Sequence, residues 1–105
     1  MKDLNSILLE GEVLAKPRVA HSKSGEAYSV LKLDTINRFA GNTGFAKVEH
    51  NHFTVELGTG LAEKYRDGLQ PGARIRVVGL LKVRANTVRI HTEDMEVRRA
   101  HSPAA

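Results

Sequence analysis

Four cations along residues 74–84 are the side chains best suited to bind a ligand. Arg74, Arg76, Lys82 and Arg84 fall on one side of this run, and the other side is apolar. Alternation with a period of two residues is typical of a half-buried strand. A row of guanidinium and ammonium groups suits a polyanion, whereas the simpler interpretation of any one of them is a solvated strand surface.

His50 and His52 are the next candidates, because two histidines two residues apart on a strand share a face and can bind a metal ion. The chain has no cysteine and no third ligand at a suitable spacing, so we predict no metal site and no cofactor. The carboxylates are scattered, and no nucleophile, base and oxyanion site can be assembled. We therefore predict that the protein is not an enzyme.

The composition limits the class of protein. The 105 residues suit one soluble domain, and 16 Lys and Arg against 12 Asp and Glu give a net charge of +4. No apolar run is long enough to cross a membrane, and the first residues lack the apolar stretch of a secretory signal. These features predict a cytoplasmic protein with no membrane partner.

The elements that position these side chains are mostly strands. Period-two alternation predicts strands at residues 5–14, 27–39, 45–57, 74–84 and 87–91, the last extending toward residue 97. Pro17 interrupts the first strand, and residues 20–26 read as a long loop. Between the third and fourth strands, apolar residues at helical spacing predict one short helix at residues 61–69.

One short helix among five strands predicts an all-β OB fold, a five-stranded Greek-key barrel with the helix between strands 3 and 4. The alternative is a ferredoxin-like α+β sandwich, which needs two substantial helices. Gly11, in the middle of the first strand, suits a bulge or a sharp barrel bend. We assign residues 1–99 to the barrel and residues 100–105 to a disordered tail.

Several segments, in order over about residues 4 to 99, resemble the bacterial single-stranded DNA-binding protein (SSB) family. They are residues 5–13, Pro17, Ser24-Gly25, Leu61-Ala62-Glu63 with Tyr65, and residues 72–81. The resemblance implies an OB fold, usually assembled as a homotetramer. It also implies sequence-independent binding of single-stranded DNA in DNA replication, repair and recombination, in the bacterial cytoplasm and associated with the nucleoid.

Binding of single-stranded DNA needs cations for the phosphates and flat rings for the bases. The predicted nucleic-acid-binding residues are Lys23, Lys32, Arg38, Phe39, His52, Arg74, Arg76, Lys82, Arg84 and Arg89. For this function, the cationic side of residues 74–84 has to lie open, outside internal ion pairs and subunit interfaces.

Rings are scarce, since the chain has no tryptophan. By comparison with the family, Phe39 is the best stacking candidate, and His52 replaces an aromatic residue. Phe53 and Tyr65 are expected to pack in the core, whereas Tyr28 and Phe45 stay undecided. We therefore expect weaker and more electrostatic binding than is usual in the family.

The resemblance also implies a homo-oligomer, a tetramer or a dimer, paired through the first strand with Leu8, Glu10 and Glu12 at the interface. The acidic tip that recruits replication or repair proteins to SSB has no counterpart in the last nine residues. Such a chain also resembles PriB, the primosomal replication protein N. The alternative function is therefore a PriB-like domain for primosome assembly and protein interaction, with weak nucleic-acid affinity.

Overall fold

The structure, a computed structural model, describes residues 3–40, 44 and 46–98. Its elements are β1 (Ile7–Val13), β2 (Arg18–His21), β3 (Ala27–Ala40), β4 (Ala46–Gly58), α1 (Thr59–Lys64), a 3-10 turn (Arg66–Gly68), β5 (Arg74–Arg84) and β6 (Thr87–Arg98). The five strands predicted from alternation are present. The predicted tail at residues 100–105 lies outside the described residues, so its disorder and the boundary at residue 99 stay predictions.

Five of the strands close into a barrel. The strand order is β1-β5-β6-β4-β3-β2, and β1 also pairs with β3, so that the sheet returns on itself. All pairings are antiparallel except the one between β4 and β6, which aligns Val55 with Ile90 and Glu56 with His91. The prediction of an OB-type barrel is confirmed, and the ferredoxin-like alternative is wrong.

The short strand β2 was not predicted, because residues 20–26 read as loop. It pairs with β3 from Arg18 opposite Val30 to His21 opposite Ala27. Its side chains are exposed or half-buried, which explains why the sequence gives it no apolar signature. The polar residues that follow form the turn into β3.

The barrel interior is filled by one side of each alternating strand. The core contains Val13, Leu31, Leu33, Val55, Leu57, Leu69, Ile75, Val77, Ile90 and Met95, and Phe53 and Tyr65 pack against it as predicted. On β3, β4 and β5 the core residues all have odd numbers, so odd-numbered side chains face inward and even-numbered side chains face outward. This division decides which cations can meet on the surface.

Two glycines allow strands to approach more closely than a side chain would permit. A Cβ on Gly11 would lie 2.4 Å from the carbonyl oxygen of Asp34, at the point where β1 leaves β5 to pair with β3. A Cβ on Gly79 would lie 2.0 Å from the carbonyl oxygen of His91, beside the irregular register at Val78 and Gly79. The barrel bend predicted at Gly11 is thus a site of close backbone contact.

The helix over the barrel end is shorter than predicted and begins earlier. α1 begins at Thr59 directly after β4, with Gly58 as its N-cap residue and Gly60 within the helix. It ends at Lys64, because Tyr65 leaves helical geometry at φ −109°, and the chain continues as the 3-10 turn. Leu69, predicted as the last helical residue, is buried in the core below this turn.

The hairpin between β5 and β6 is the tight turn that the sequence predicts. Ala85 and Asn86 both have positive φ, at 51° and 62°. Positive φ at both central residues is the type I′ geometry, whose twist matches that of the flanking strands.

In the part of the chain that the structure describes, no helix is long and apolar enough to span a lipid bilayer.

Candidate nucleic-acid interface

The outer surface of β3, β4, β5 and β6 carries a group of basic side chains that we call the cationic face, formed by the cations Lys32, Lys82, Arg84 and Arg89 together with the imidazole of His52. The register places Lys32 opposite Thr54, and the Lys32 ammonium donates a hydrogen bond to Thr54 Oγ1 at 2.6 Å. On the hairpin, Lys82 pairs with Arg89. Strands distant in the sequence thus bring the cationic side chains onto one surface.

A buried carboxylate lies at the centre of this surface. Glu56, on β4, is 1% exposed. It accepts hydrogen bonds from Arg84 Nε at 2.6 Å, Arg84 Nη2 at 3.2 Å and Arg89 Nη1 at 3.4 Å. The Arg84 contact is the two-pronged arrangement that guanidinium and carboxylate groups favour.

The protonation of Glu56 follows from these contacts. Burial raises the pKa of the Glu56 carboxyl, but the hydrogen bond from Arg84 and the charges of Arg84, Arg89 and Lys82 together outweigh it, so the pKa lies below 4.5. The hydrogen bond to Glu56 in turn raises the pKa of Arg84. At neutral pH the carboxylate is ionised, and it offsets one of the positive charges around it.

His50 and His52 share a second carboxylate on the same surface. His50 Nδ1 lies 3.0 Å from Asp34 Oδ2, and His52 Nε2 lies 3.3 Å from Asp34 Oδ1. The two rings are mostly exposed, whereas Asp34 is buried. Over the described ranges, no group of three or more His, Cys, Asp or Glu residues could hold a metal ion.

The structure separates Arg74 and Arg76 from the cationic face. Their register partners on β1 are Glu12 and Glu10. Arg76 Nη2 lies 3.6 Å from Glu10 Oε2. Eight residues separate Arg76 from Arg84 along β5, which is at most about 26 Å of strand at about 3.3 Å per residue. These two arginines therefore lie beside the predicted oligomer interface, away from the other cations.

The expectation that all the cations of residues 74–84 lie open is wrong for Arg84 and Arg76. Arg84 retains 27% side-chain exposure and is bound to Glu56, and Arg76 lies beside Glu10. Arg89, from the neighbouring strand, is also bound to Glu56. The physical reason is that two acids from other strands, Glu10 on β1 and Glu56 on β4, lie on the outer face beside these arginines. The alternation within β5 does not reveal them.

The other predicted side chains are spread around this surface. Arg38 is exposed near the end of β3, on the same side as Lys32. Lys23 is exposed in the turn between β2 and β3. Phe39 is 49% exposed. It lies on the same side of β3 as the buried Leu31 and Leu33, so it projects from the side opposite to Arg38. Phe45 lies outside the described residues.

Two residues of the site were not predicted. Glu56 is one of the carboxylates that look scattered in the sequence, but it lies at the same parity as His52 and Thr54 on β4 and therefore faces outward with them. Tyr28, for which the sequence predicts no role, lies under Arg84, with the guanidinium carbon 4.6 Å from the ring centroid. No sequence signal links Tyr28 to Arg84, because their contact depends on how β3, β4 and β5 fold together.

The predicted oligomer interface lies on one edge of the barrel. Leu8 is 66% exposed and pairs in register with Val78, which is also exposed. Only Glu12 and Val13 of β1 pair with β3, so from Ile7 to Gly11 one edge of the strand has no partner among the described residues. Glu10 contacts Arg76 and Arg98, with N–O distances of 3.6 Å to each.

Several solved structures are similar to this fold. An SSB from Plasmodium falciparum in complex with ssDNA has a TM-score of 0.77 and 19% identity, over 93% of this chain and 97% of that chain. A small single-stranded DNA-binding protein from Streptomyces coelicolor gives 0.70 and 21%, over 93% and 95%. The priB protein from Ralstonia solanacearum gives 0.67 and 15%, over 91% and 100%.

At these identities the likeness to solved structures is one of fold. None of the curated proteins matches the sequence. Residues 4–99, by contrast, match the single-strand binding protein family as a whole. This match spans β1 to β6 and so includes every strand that carries the cationic face. The chain belongs to the single-strand binding protein family.

Proposed function

We propose that this protein binds single-stranded DNA without reading its sequence. The observation that carries the proposal is the match of residues 4–99 to the single-strand binding protein family. The condition that the cationic side of residues 74–84 lies open fails at Arg84 and Arg76, which are ion-paired, so the supporting cations on the outer surface are the exposed Lys32 and Lys82. Lysines and arginines contact phosphates, which are the same at every nucleotide, so such contacts give affinity without sequence preference. DNA replication, repair and recombination are the processes in which we expect it to act, in the cytoplasm near the nucleoid.

The free cations are the best candidates for phosphate contacts. Lys82 and Arg38 are exposed, and the hydrogen-bond partner of the Lys32 ammonium among the described residues is the neutral hydroxyl of Thr54. Arg84 and Arg89 share the charge of Glu56, so they contribute less than two full charges toward DNA. With few rings on this face, we expect weak and salt-sensitive binding. We infer binding and not catalysis.

We further propose that the protein is a homo-oligomer paired through β1. Leu8 and Val78 together form an exposed apolar pair beside an edge that can accept a second strand. Glu10 and Glu12 would lie at this seam, opposite Arg76 and Arg74 of the same subunit. Light scattering on the wild type and on the variant Leu8→Asp measures the mass of the assembly, which the substitution should reduce.

The test of DNA binding is fluorescence anisotropy with labelled oligo-dT over a salt series. Each phosphate contact to a single strand adds about 0.7 to the slope of log K against log salt, so we expect a slope magnitude of about 1.5 to 3. Lys82→Ala should reduce that magnitude. Lys64→Ala, which removes an exposed lysine of α1, is the matched control and should not. Absence of binding at tens of micromolar protein in low salt refutes the proposal.

A PriB-like role in primosome assembly is the second candidate. Two observations favour it: the fold is similar to priB from Ralstonia solanacearum, and Glu56 offsets part of the charge on the cationic face. In that case, replication or repair proteins are the main partners and DNA affinity is negligible. A normal oligomer in light scattering, together with no anisotropy change with oligo-dT, distinguishes this function from DNA coating.

A further inference from the structure

Arg84 is held on two sides by the protein itself. Arg84 Nε and Nη2 donate hydrogen bonds to the Glu56 carboxylate, at 2.6 Å and 3.2 Å. Its guanidinium carbon lies 4.6 Å from the centroid of the Tyr28 ring, in position for a cation–π contact. A planar group fixed along one edge and over an aromatic ring has little freedom left, so its orientation is set before any ligand arrives.

A small cleft adjoins this arrangement. Its volume is about 150 Å³, and Tyr28, Glu56, Lys82, Arg84 and His91 are among the residues that line it. Sites for drug-sized ligands are larger, at about 300 to 1,000 Å³. A space of this size suits a single ring and not a whole nucleotide.

The contacts of Arg84 make it a poor phosphate ligand. Two of its nitrogen atoms are already bound to Glu56, and the carboxylate offsets its charge. Glu56 uses one edge and Tyr28 one face of the guanidinium, and three of its five N–H donors are left. The side chain keeps 27% exposure, so we assign the face opposite Tyr28 to a ligand. Guanidinium planes stack on unpaired bases in the same way as aromatic rings do.

The geometry points to Arg84 as a stacking surface for one nucleobase, with Tyr28 and Glu56 as the residues that position it. This inference rests on the proposed function and adds a base contact to it. Tyr28 is the one Phe, Tyr or Trp ring near the cationic face among the residues described by the structure, since Phe39 projects from the opposite side and Phe53 packs on the core. We call the Arg84 guanidinium, with Tyr28 below it and Glu56 at its edge, the platform. It supplies a flat surface in a protein that has few aromatic rings.

The test compares two probes of equal length: oligo-dT, and an oligonucleotide whose sugars carry no base. Arg84→Lys keeps the positive charge but removes the plane. It should weaken oligo-dT binding by about 5- to 150-fold, the range for loss of one stacked base. Binding of the base-free strand and the salt slope should stay unchanged. Tyr28→Leu, which removes the support below the guanidinium, should show the same pattern with a smaller loss.

Lys82→Met is the matched contrast, because Lys82 borders the same cleft as a point charge. It should weaken both probes equally and lower the slope magnitude by about 0.7. Equal losses on both probes for Arg84→Lys identify a phosphate contact and overturn the inference. So does an unchanged affinity for oligo-dT, or a wild type that binds both probes equally well.

The two proposals fail in different ways. A wild type that binds neither probe refutes the proposed function and the platform with it. A wild type that binds oligo-dT while Arg84→Lys and Tyr28→Leu do not discriminate between the probes refutes the platform alone. Circular dichroism on each variant establishes that the barrel is folded, and if Arg84→Lys does not fold, Tyr28→Leu decides the question.

Discussion

The buried carboxylate of Glu56 offers the sharpest test of the electrostatics of this barrel. Glu56→Gln keeps the shape of the side chain but replaces one acceptor oxygen by an amide that donates. Glu56 accepts three hydrogen bonds from Arg84 and Arg89, and the amide can retain those to one oxygen only. The NH₂ group would then face guanidinium donors, so at least one interaction becomes unfavourable.

The magnitude follows from burial and from the exposure of the partners. Breaking a fully buried ion pair costs about 3 to 5 kcal/mol, and one hydrogen bond to a charged group contributes about 1.5 to 3 kcal/mol. Because the Arg84 and Arg89 side chains keep 27% and 21% exposure, water can partly replace the lost partner. We therefore expect a loss of about 2 kcal/mol in the free energy of unfolding at pH 7. In a domain of this size, that lowers Tm by about 8 to 15 °C.

The pH dependence gives the same prediction an independent check. Because the pKa of folded Glu56 lies below 4.5, the ionised carboxylate stabilises the fold above that pH, and the contribution is lost as the pH falls through the folded pKa. The difference in stability between wild type and Glu56→Gln should therefore be full near neutral pH and shrink in acid.

The assay is thermal and urea unfolding, followed by circular dichroism at fixed protomer concentration, because assembly also shifts Tm. Glu63→Gln, at an exposed position on α1, is the matched control and should unfold like the wild type at each pH. If Glu56→Gln is as stable as the wild type at pH 7, or if the difference is as large in acid as at neutral pH, the account of the ion pair is wrong.

Two further predictions concern the barrel itself. Gly79→Ala should lower the free energy of unfolding by about 3 kcal/mol, because its Cβ would lie 2.0 Å from the His91 carbonyl oxygen; Gly58→Ala, with nothing within 4 Å, should leave it nearly unchanged. Leu33→Ala, at a fully buried position, should cost about 2 to 5 kcal/mol, whereas Val19→Ala, which is 68% exposed, should change stability by no more than about 0.5 kcal/mol. Urea unfolding measures all four variants, and equal losses within either pair would contradict the packing described above.

Much of the fold follows from local sequence. Period-two alternation determines the barrel strands, since each buries one side. On the apolar side of β5, Ile75 and Val77 are buried as predicted, whereas Leu81 and Val83 are 47% and 68% exposed, because this end of the strand projects beyond the core. The strand β2 escaped prediction because it buries almost nothing. The helix begins two residues before the predicted start at residue 61, because Gly60, which usually marks a boundary, lies inside α1.

The site was less predictable than the fold. Alternation correctly indicates which side chains leave the core, but it does not say which acid meets which base. Glu56 and Arg84 are 28 residues apart, and the parallel pairing of β4 with β6 sets the register that aligns Glu56 with His91. No local pattern carries that register. The same limit applies to Arg76, whose partner Glu10 comes from β1.

The ion pairs on the cationic face change how affinity should depend on salt. A row of free arginines would bind DNA through released counterions, and its affinity would fall steeply with ionic strength. Here, Glu56 takes part of the charge of Arg84 and Arg89 and in return fixes their geometry. Base stacking depends on orientation and contact, and much less on salt. A shallow salt slope with measurable affinity would therefore indicate that the flat surface of Arg84 contributes more to binding than its charge.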